Sequence, residues 1–444
     1  MQKRKPQNWL LLFSIAILST VSQAQTTHQF SISQAIDYAS KNNVQVKNAL
    51  LSVLHQEQVN REITAAAYPS LGADITTNNN LKVSTQVVPG DFFGQPGKLI
   101  PVEFGVKYNT NAFLQLRQLL FDGQVFVGLQ ARKASINFAN KNVEITEENI
   151  KINIYKIYYQ LVVSKTQVEL LNANIERIQK LKHDVTEMYK NGFAEKLDVD
   201  KIEVTLTNLQ TEKTKALNSI EIGYLGLKTL MGMPVKDNLI LTDSISDNDI
   251  KQGALSDSIN YNDRKEFQYL QIAKQLNQYN IKRYQYSFLP TVALSVMYGK
   301  QAYRQKFTFF EKGDWYDVSA LSFNINIPIF SGFAKNARVK QSKIDLQQTE
   351  NNISNLKLAI DNEVESAKLK FNSAIENMDF QKKNMQLAES VYNQTKKKFE
   401  VGTGSNTEIN AAHTDLKTAQ TNYITALYDA IIAKVDFLKA IGKL

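Results

Sequence analysis

The chain has 444 residues, of which 43% are hydrophobic, a formal net charge of +9 and no cysteine. That length can bury one large core or two, and the missing thiols exclude disulfides, Cys-ligated zinc and thiol catalysis within these residues. Without Lys3, Arg4 and Lys5, which head a segment expected to be removed, the charge is nearer +6, a mild excess that gives no argument for nucleic acid.

The first residues, MQKRKPQNWLLLFSIAILSTVSQAQ, join a basic start to an apolar run from Trp9 to Leu18 and small residues at Ser22 and Ala24. Residues 1–24 are expected to be a secretory signal peptide cut after Ala24. A membrane anchor would need a run of about 18 or more apolar residues. No later stretch is long and apolar enough for a transmembrane helix, so any membrane passage has to be made by β-strands. A helical pattern follows, and Pro69 ends it, since proline and the residue before it disfavour a continued helix. Two strands are expected at about 69–88 and 101–121, then a long helix over 123–190, a turn at 191–195 and a helix over 196–232. A polar connection, 235–262, leads to the same succession again. A helix ends at Pro290, strands run at about 290–300 and 316–330, a long helix covers 332–399, a turn 400–405 and a helix 406–442.

These are two copies of one unit, 25–234 and 263–444. QLLFDGQVFVGLQARKASI, from Gln118, matches IPIFSGFAKNARVKQSKI, from Ile327, with Gly123 and Gly332 209 residues apart. MYKNGFAEKLDVDKIE matches KFEVGTGSNTEINAAH, with Gly192 and Gly402 210 apart, and Gly232 and Gly442 keep the same interval. Pro69 and Pro290 are 221 apart, so length differences fall in the loops.

Periodicity supports the long helices. Steps of four and three from Ile150 visit Ile154, Ile157, Leu161, Ser164, Val168, Leu171, Ile175, Ile178, Lys182, Val185 and Tyr189, and ten of these twelve are apolar. Adding 210 gives Ile360, Val364, Ala367, Phe371, Ala374, Met378, Gln381, Met385, Ala388, Tyr392, Thr395 and Phe399, again ten of twelve. This is a coiled-coil seam. No proline interrupts either helix, so each would run for roughly 100 Å, too long for a compact domain.

The strands alternate. Val102, Phe104, Val106, Tyr108, Thr110, Ala112, Leu114 and Leu116 interleave with Glu103, Gly105, Lys107, Asn109, Asn111, Phe113, Gln115 and Arg117. Phe323, Ile325, Ile327 and Ile329 interleave with Ser322, Asn324, Asn326 and Pro328. Such segments suit a barrel with lipid outside and water inside, and a half-buried soluble sheet shows the same alternation. The loop Lys300 to Tyr316 gathers Tyr303, Phe307, Phe309, Phe310, Trp315 and Tyr316, as an interfacial aromatic belt or an ordinary packed loop would.

The sequence offers no catalytic constellation, so the chain is not expected to be an enzyme. His28, His55, His183 and His413 are scattered without metal-site spacing, and GTGS at Gly402 lacks the lysine and preceding strand of a phosphate loop. No cofactor or metal is expected. The two turns carry more signal. Gly402 and Gly404 can stop a helix, and Ser405 and Glu408 have capping-box spacing around Asn406 and Thr407. Asn191 and Gly192 stop the earlier helix, and Glu195 and Asp198 place negative charge where the new helix dipole favours it. A plain helix hairpin would use all of these residues. Lys180, Lys182, Lys190, Lys396, Lys397 and Lys398 cluster near the turns, either as a solvated face or as an entrance charge.

The order and spacing of FSISQAIDYASKNNVQVKNA at Phe30, YPSL at Tyr68, FDG at Phe121, NGFAEKLDV at Asn191, PIFSG at Pro328 and FEVGTGSNTEINAAHTDLKTAQTNYITAL at Phe399 resemble the TolC-like outer membrane efflux proteins. The resemblance implies a mixed α and β membrane protein, a homotrimer. Four strands per protomer would close a 12-stranded β-barrel, continued by a long α-helical coiled-coil barrel through the periplasm. An equatorial region would take in Gln29 to Asn48, 235–262 and the chain end, and the loops Val88 to Pro101 and Lys300 to Tyr316 would face the exterior.

It further implies a passive outer membrane channel of a tripartite efflux or type I secretion system. The partners would be a periplasmic adaptor (membrane fusion) protein, an inner membrane pump or ABC transporter, and outer membrane lipid. The adaptor would dock on the tip formed by Asn191, Gly192, Phe193, Ala194, Leu197, Asp198, Val401, Gly402, Thr403, Gly404, Ser405, Asn406, Thr407 and Glu408, with Lys190, Lys396, Lys397 and Lys398 as entrance charge. A non-channel periplasmic coiled-coil scaffold is the alternative, and a stand-alone porin would leave the two coiled-coil hairpins without a purpose.

Overall fold

The computed structural model describes residues 27–245, 250–251 and 260–444. The expected signal peptide and much of the expected connector therefore lie outside the described residues. The order of elements is β1 (Thr27–Phe30), α1 (Ile32–Asn42), α2 (Val44–Ala65), β2 (Ser70–Asn79), β3 (Thr85–Pro89), β4 (Leu99–Glu103), β5 (Tyr108–Phe121), α3 (Gly123–Lys190), α4 (Lys196–Met231), β6 (Asn238–Leu241), α5 (Lys265–Tyr286), β7 (Thr291–Arg304), β8 (Tyr316–Asn326), α6 (Ala334–Glu400) and α7 (Asn406–Ala440). The long helices hold 68 and 67 residues, and the shorter ones that follow them hold 36 and 35. No described helix is long and apolar enough to cross a membrane.

One compact unit comprises Ala49–Val143 and Lys265–Leu358. Its centre is a four-stranded antiparallel sheet in the order β2-β5-β7-β8. Cross-strand partners share a face, so the register sorts the side chains. Leu71 faces Leu116, Ala73 faces Leu114, Leu114 faces Tyr298, Leu116 faces Val296, and Val296 faces Leu321. With Phe323 and Ile325 these make one apolar face, and Ile75 and Leu71 on it are 76% and 70% exposed. The opposite face carries Asp74, Thr76, Asn78, Asn109, Asn111, Gln115, Arg117, Gln301, Asn324 and Asn326. Gly299 lies on that polar face directly across from Phe113, and an added Cβ there would stand 2.1 Å from the Ala112 carbonyl oxygen and 2.5 Å from the Phe113 ring. Only a residue without a side chain lets these strands pair beneath the ring.

The strand pattern differs from the sequence expectation in one region. Where one strand was expected over about 69–88 and another over 101–121, the chain leaves the sheet at Asn79 and re-enters at Tyr108. In between, β3 and β4 pair as a separate antiparallel hairpin. Gly105, at φ 138°, turns the backbone between that hairpin and β5, a conformation closed to L side chains. Val102 and Phe104 alternate with their neighbours as a strand would, which hid the break.

The other unit gathers the residues up to Asn48 with Glu144–Arg264 and Ala359–Leu444. Here β1 and β6 pair in parallel, Thr27 with Asn238 through Phe30 with Leu241. The Ile32 backbone N–H donates to Asp243 Oδ2 at 2.7 Å, and the Tyr158 hydroxyl donates to the Phe30 carbonyl at 3.0 Å. A core of Ala35, Ala39, Val46, Ile154, Tyr158, Leu161, Leu227 and Met231 joins α1, the first turn of α2, α3 and α4. Of the twelve seam positions on α3 all but Tyr189 are buried or half-buried, and all twelve on α6 are. Ile154, Ile178 and Met378 are completely enclosed. Truncating one of these to alanine removes transfer energy and leaves a cavity, at about 2–5 kcal/mol each.

Candidate functional site: the two helix turns

Both turns are built by the same backbone device. At the end of α3 the Gly192 N–H donates to the Tyr189 carbonyl at 3.0 Å and the Phe193 N–H to the Met188 carbonyl at 2.8 Å. At the end of α6 the Gly402 N–H donates to the Phe399 carbonyl at 3.0 Å and the Thr403 N–H to the Lys398 carbonyl at 2.9 Å. These are paired Schellman bonds, which need a left-handed residue between them. The glycines supply it, with φ of 80° at Gly192 and 75° at Gly402. Asn191 adds a side-chain bond to the Glu187 carbonyl, and the Thr403 hydroxyl donates to the Lys398 carbonyl. Gly404 sits where a Cβ would come within 3.0 Å of the Phe399 nitrogen.

The next helices start by capping. Ser405 Oγ accepts from the Glu408 N–H at 3.2 Å, and Glu408 Oε2 accepts from the Ser405 N–H at 3.3 Å, the reciprocal pair of a capping box. In the other turn Asp198 Oδ2 accepts from the Glu195 N–H at 3.4 Å.

Asn406 joins the two turns, although 208 residues separate it from Asp198: its Nδ2 donates to Asp198 Oδ1 at 2.9 Å and to the Asp198 carbonyl at 3.5 Å. Asp198 thus caps α4 with one oxygen and holds the start of α7 with the other. Asp198→Ala and Asn406→Ala are each expected to loosen the tip, and a double-mutant cycle on thermal unfolding should give a coupling of about 1 kcal/mol. Strictly additive losses would mean the two turns are not tied here.

Above the turns lies a shared core of Ile178, Leu181, Val185, Ile202, Leu206, Tyr392, Phe399, Ile409 and Leu416, with Ala194 packed against it. By contrast Phe193, Val401 and Leu197 are 79%, 73% and 56% exposed, and Thr407 is exposed beside them. Bare apolar side chains on rigid, capped turns are suited to contact with another protein. Among the lysines, Lys190 pairs with Glu187 at 2.8 Å, Lys396 with Glu400 at 3.6 Å, and Lys182 with Glu203. The Glu187 carboxyl is held below its ordinary pKa by the Lys190 bond. Lys397 and Lys398 are exposed in the last turn of α6, where the helix dipole favours a cation. This local role applies whichever way their charge is used.

Sequence reasoning passed over a polar layer inside this region. Asn174 Nδ2 donates to Gln420 Oε1 at 2.8 Å in a buried pair, and Arg177 donates to Asn174 Oδ1 at 3.1 Å and pairs with Glu389 at 3.8 Å. His413, expected to be one of several scattered histidines, is 1% exposed and lies edge-on to Tyr392, with ring centroids 6.0 Å apart. Its Nε2 has no hydrogen-bond partner among the described residues. Burial, with Arg177 and Lys417 nearby, lowers its pKa from 6.5 to about 4, so it is neutral at pH 7. The available signal was that Asn174 stands seven residues before Leu181, on a second buried stripe of α3 beside the first. Among the described residues no cluster of His, Asp and Glu could hold a metal ion.

Residues 262–443 match the outer membrane efflux protein family. The chain is 20% identical over 450 residues to the outer membrane protein TolC of Escherichia coli K12, covering 98% of this chain and 86% of TolC. It is 19% identical over 254 residues to the proteases secretion protein PrtF of Dickeya chrysanthemi, covering 56% of this chain and 54% of that one. Among solved structures, the outer membrane protein VceC of Vibrio cholerae superposes with a TM-score of 0.73 at 16% identity, covering 93% of this chain and 96% of VceC. Residues 262–443 thus match the outer membrane efflux protein family, and the chain as a whole is TolC-like in fold.

Proposed function

We propose that the protein is the outer membrane channel of a tripartite efflux or type I secretion system. The observation that carries the reading is the two-faced sheet, apolar on one side and polar on the other, with β5 leading into the 68-residue helix after one residue and β8 into the 67-residue helix after seven. Lipid takes the apolar face and water the polar one. Three copies, each giving four strands, close a twelve-stranded barrel. The two repeats of each chain supply the helices of a coiled-coil barrel in the periplasm. Solutes pass along Asn109, Asn111, Asn324 and Asn326 without any chemistry on this chain.

The exposed apolar turns are the docking surface for a periplasmic adaptor, which couples the channel to an inner membrane pump or ABC transporter. A periplasmic scaffold without a pore is disfavoured, because it would leave Leu71, Ile75, Leu321, Phe323 and Ile325 facing water. Photo-crosslinking residues placed at Phe193 and Thr403, whose side chains are exposed, test the docking in cells. Capture of an adaptor with its pump is the expected result, and no capture of any periplasmic partner from either turn overturns it.

A further inference from the structure

The polar face of the sheet carries charge in two places only. Its charged residues are Asp74 on β2 and Arg117 on β5, and every position of β7 and β8 on this face is uncharged. Arg117 stands in a row of hydroxyls. Its cross-strand partners are Ser70 on β2 and Ser295 on β7, and Ser295 pairs in turn with Ser322 on β8. Polar contacts hold the row: Ser70 Oγ donates to the Arg117 carbonyl at 3.3 Å, and Asn324 Nδ2 donates to Ser295 Oγ at 3.2 Å. Arg117 itself is exposed. Asp74 lies opposite Phe113, four residues along the strands from Arg117 and Ser70, which at the rise of a β-strand is roughly 13 Å. That is beyond ion-pair reach, so the guanidinium is a permanent cation that no acid on its own face neutralises.

We propose that Arg117 and the serines of its row form an anion-selecting belt in the lumen, favouring solutes that carry a carboxylate, phosphate or sulfonate group. This rests on the reading of the sheet as part of a membrane barrel with water on the polar face, and adds the class of solute to it. Three copies place three such cations around the lumen, and β8, the strand beside β2 of the next copy, brings no acid to them. The planar guanidinium fits two oxygens of an anionic group at once. The Ser295 and Ser322 hydroxyls rotate to donate to others. Salt screens a fixed charge beyond about 10 Å at 0.1 M, so the enrichment is confined to the belt and weakens as ionic strength rises.

The chain has no cysteine, so a single Ser295→Cys thiol, opposite Arg117, reads the belt alone. The assembled protein in phospholipid vesicles is treated with a methanethiosulfonate reagent bearing either a sulfonate or a quaternary ammonium. The ratio of the two modification rates is divided by the ratio for a small thiol free in solution. The anionic reagent, itself a solute of the proposed class, is expected to be favoured several-fold. Arg117→Gln should abolish the preference, Arg117→Lys should keep it, Asp74→Asn should leave it unchanged, and rising salt should shrink it. A Leu321→Cys thiol, on the opposite face and covered by lipid, should react with neither reagent. Equal ratios in the Arg117 and Arg117→Gln proteins overturn the belt, and with Leu321→Cys still protected the barrel stands. Leu321→Cys reacting as fast as Ser295→Cys overturns the barrel and the belt together.

Discussion

Replacing Glu363 by alanine is expected to cost about 1–2 kcal/mol of stability, less than breaking a fully buried ion pair because the Glu363 side chain is 36% exposed and screened by water, read as a lower melting temperature in far-UV circular dichroism. Arg264 is 5% exposed and donates to Glu363 Oε2 at 2.9 Å and to the Ala440 carbonyl at 2.8 Å. Lys439 donates to the other carboxylate oxygen at 3.0 Å. Glu363 therefore ties α6 to Arg264 and to the end of α7, and its removal takes one carboxylate partner from a buried guanidinium. Burial pulls the Glu363 pKa up, but the bonds from Lys439 and Arg264 outweigh it and hold the group below its ordinary value. The contribution is then fully present above the unfolded carboxylate pKa and fades as the pH falls through the lower folded value. Glu363→Gln should lose that acid dependence and sit between native and alanine in stability. A native-like melting temperature for Glu363→Ala would show that water, not Glu363, satisfies Arg264.

The second large effect is expected at His413. Its folded pKa of about 4 lies below the ordinary 6.5, so the unfolded chain takes up the proton first as the pH falls. Stability is full above about pH 6.5, declines by about 3 kcal/mol on the way to pH 4, and levels off once both states are protonated. The groups facing the ring are cations and a phenol, Arg177, Lys417 and Tyr392, and none offers the imidazolium a counter-charge. His413→Leu should remove this window while leaving stability at pH 7 equal or slightly higher, because the unpartnered Nε2 goes with it. The window lies above that of Glu363, so the two variants can be separated in one pH series. An unchanged slope between pH 6.5 and 4 in His413→Leu would place the acid sensitivity elsewhere.

How much of this was legible in the sequence follows from the range of each interaction. The long helices were legible because their stabilising contacts repeat every three or four residues, and Ile154, Ile178 and Met378 lie enclosed where that period puts them. The turns were legible because a left-handed residue and a capping box are set by neighbours: Gly192, Gly402, Ser405 and Glu408 each carry their own local signal. The hairpin of β3 and β4 was not, since its residues alternate as those of the four-stranded sheet do and only Gly105 marks the break. Pairings between distant residues left no trace. Nothing near Thr27 announces Asn238, nothing near Asp198 announces Asn406, and His413 looks like any polar residue on a helix until α6 is packed over it.

Within the chain, among the described residues, β2 and β8 each have a neighbour on one side only. In water those bare edges are merely hydrated, but in hydrocarbon every unmet N–H or C=O costs several kcal/mol. On the proposed barrel a solitary copy is therefore excluded from the bilayer interior, and entry is a collective event in which edge meets edge before or as the sheet goes in. Insertion should accordingly depend on a power of the local chain concentration, so that a cell making half as much protein obtains far fewer than half as many finished channels.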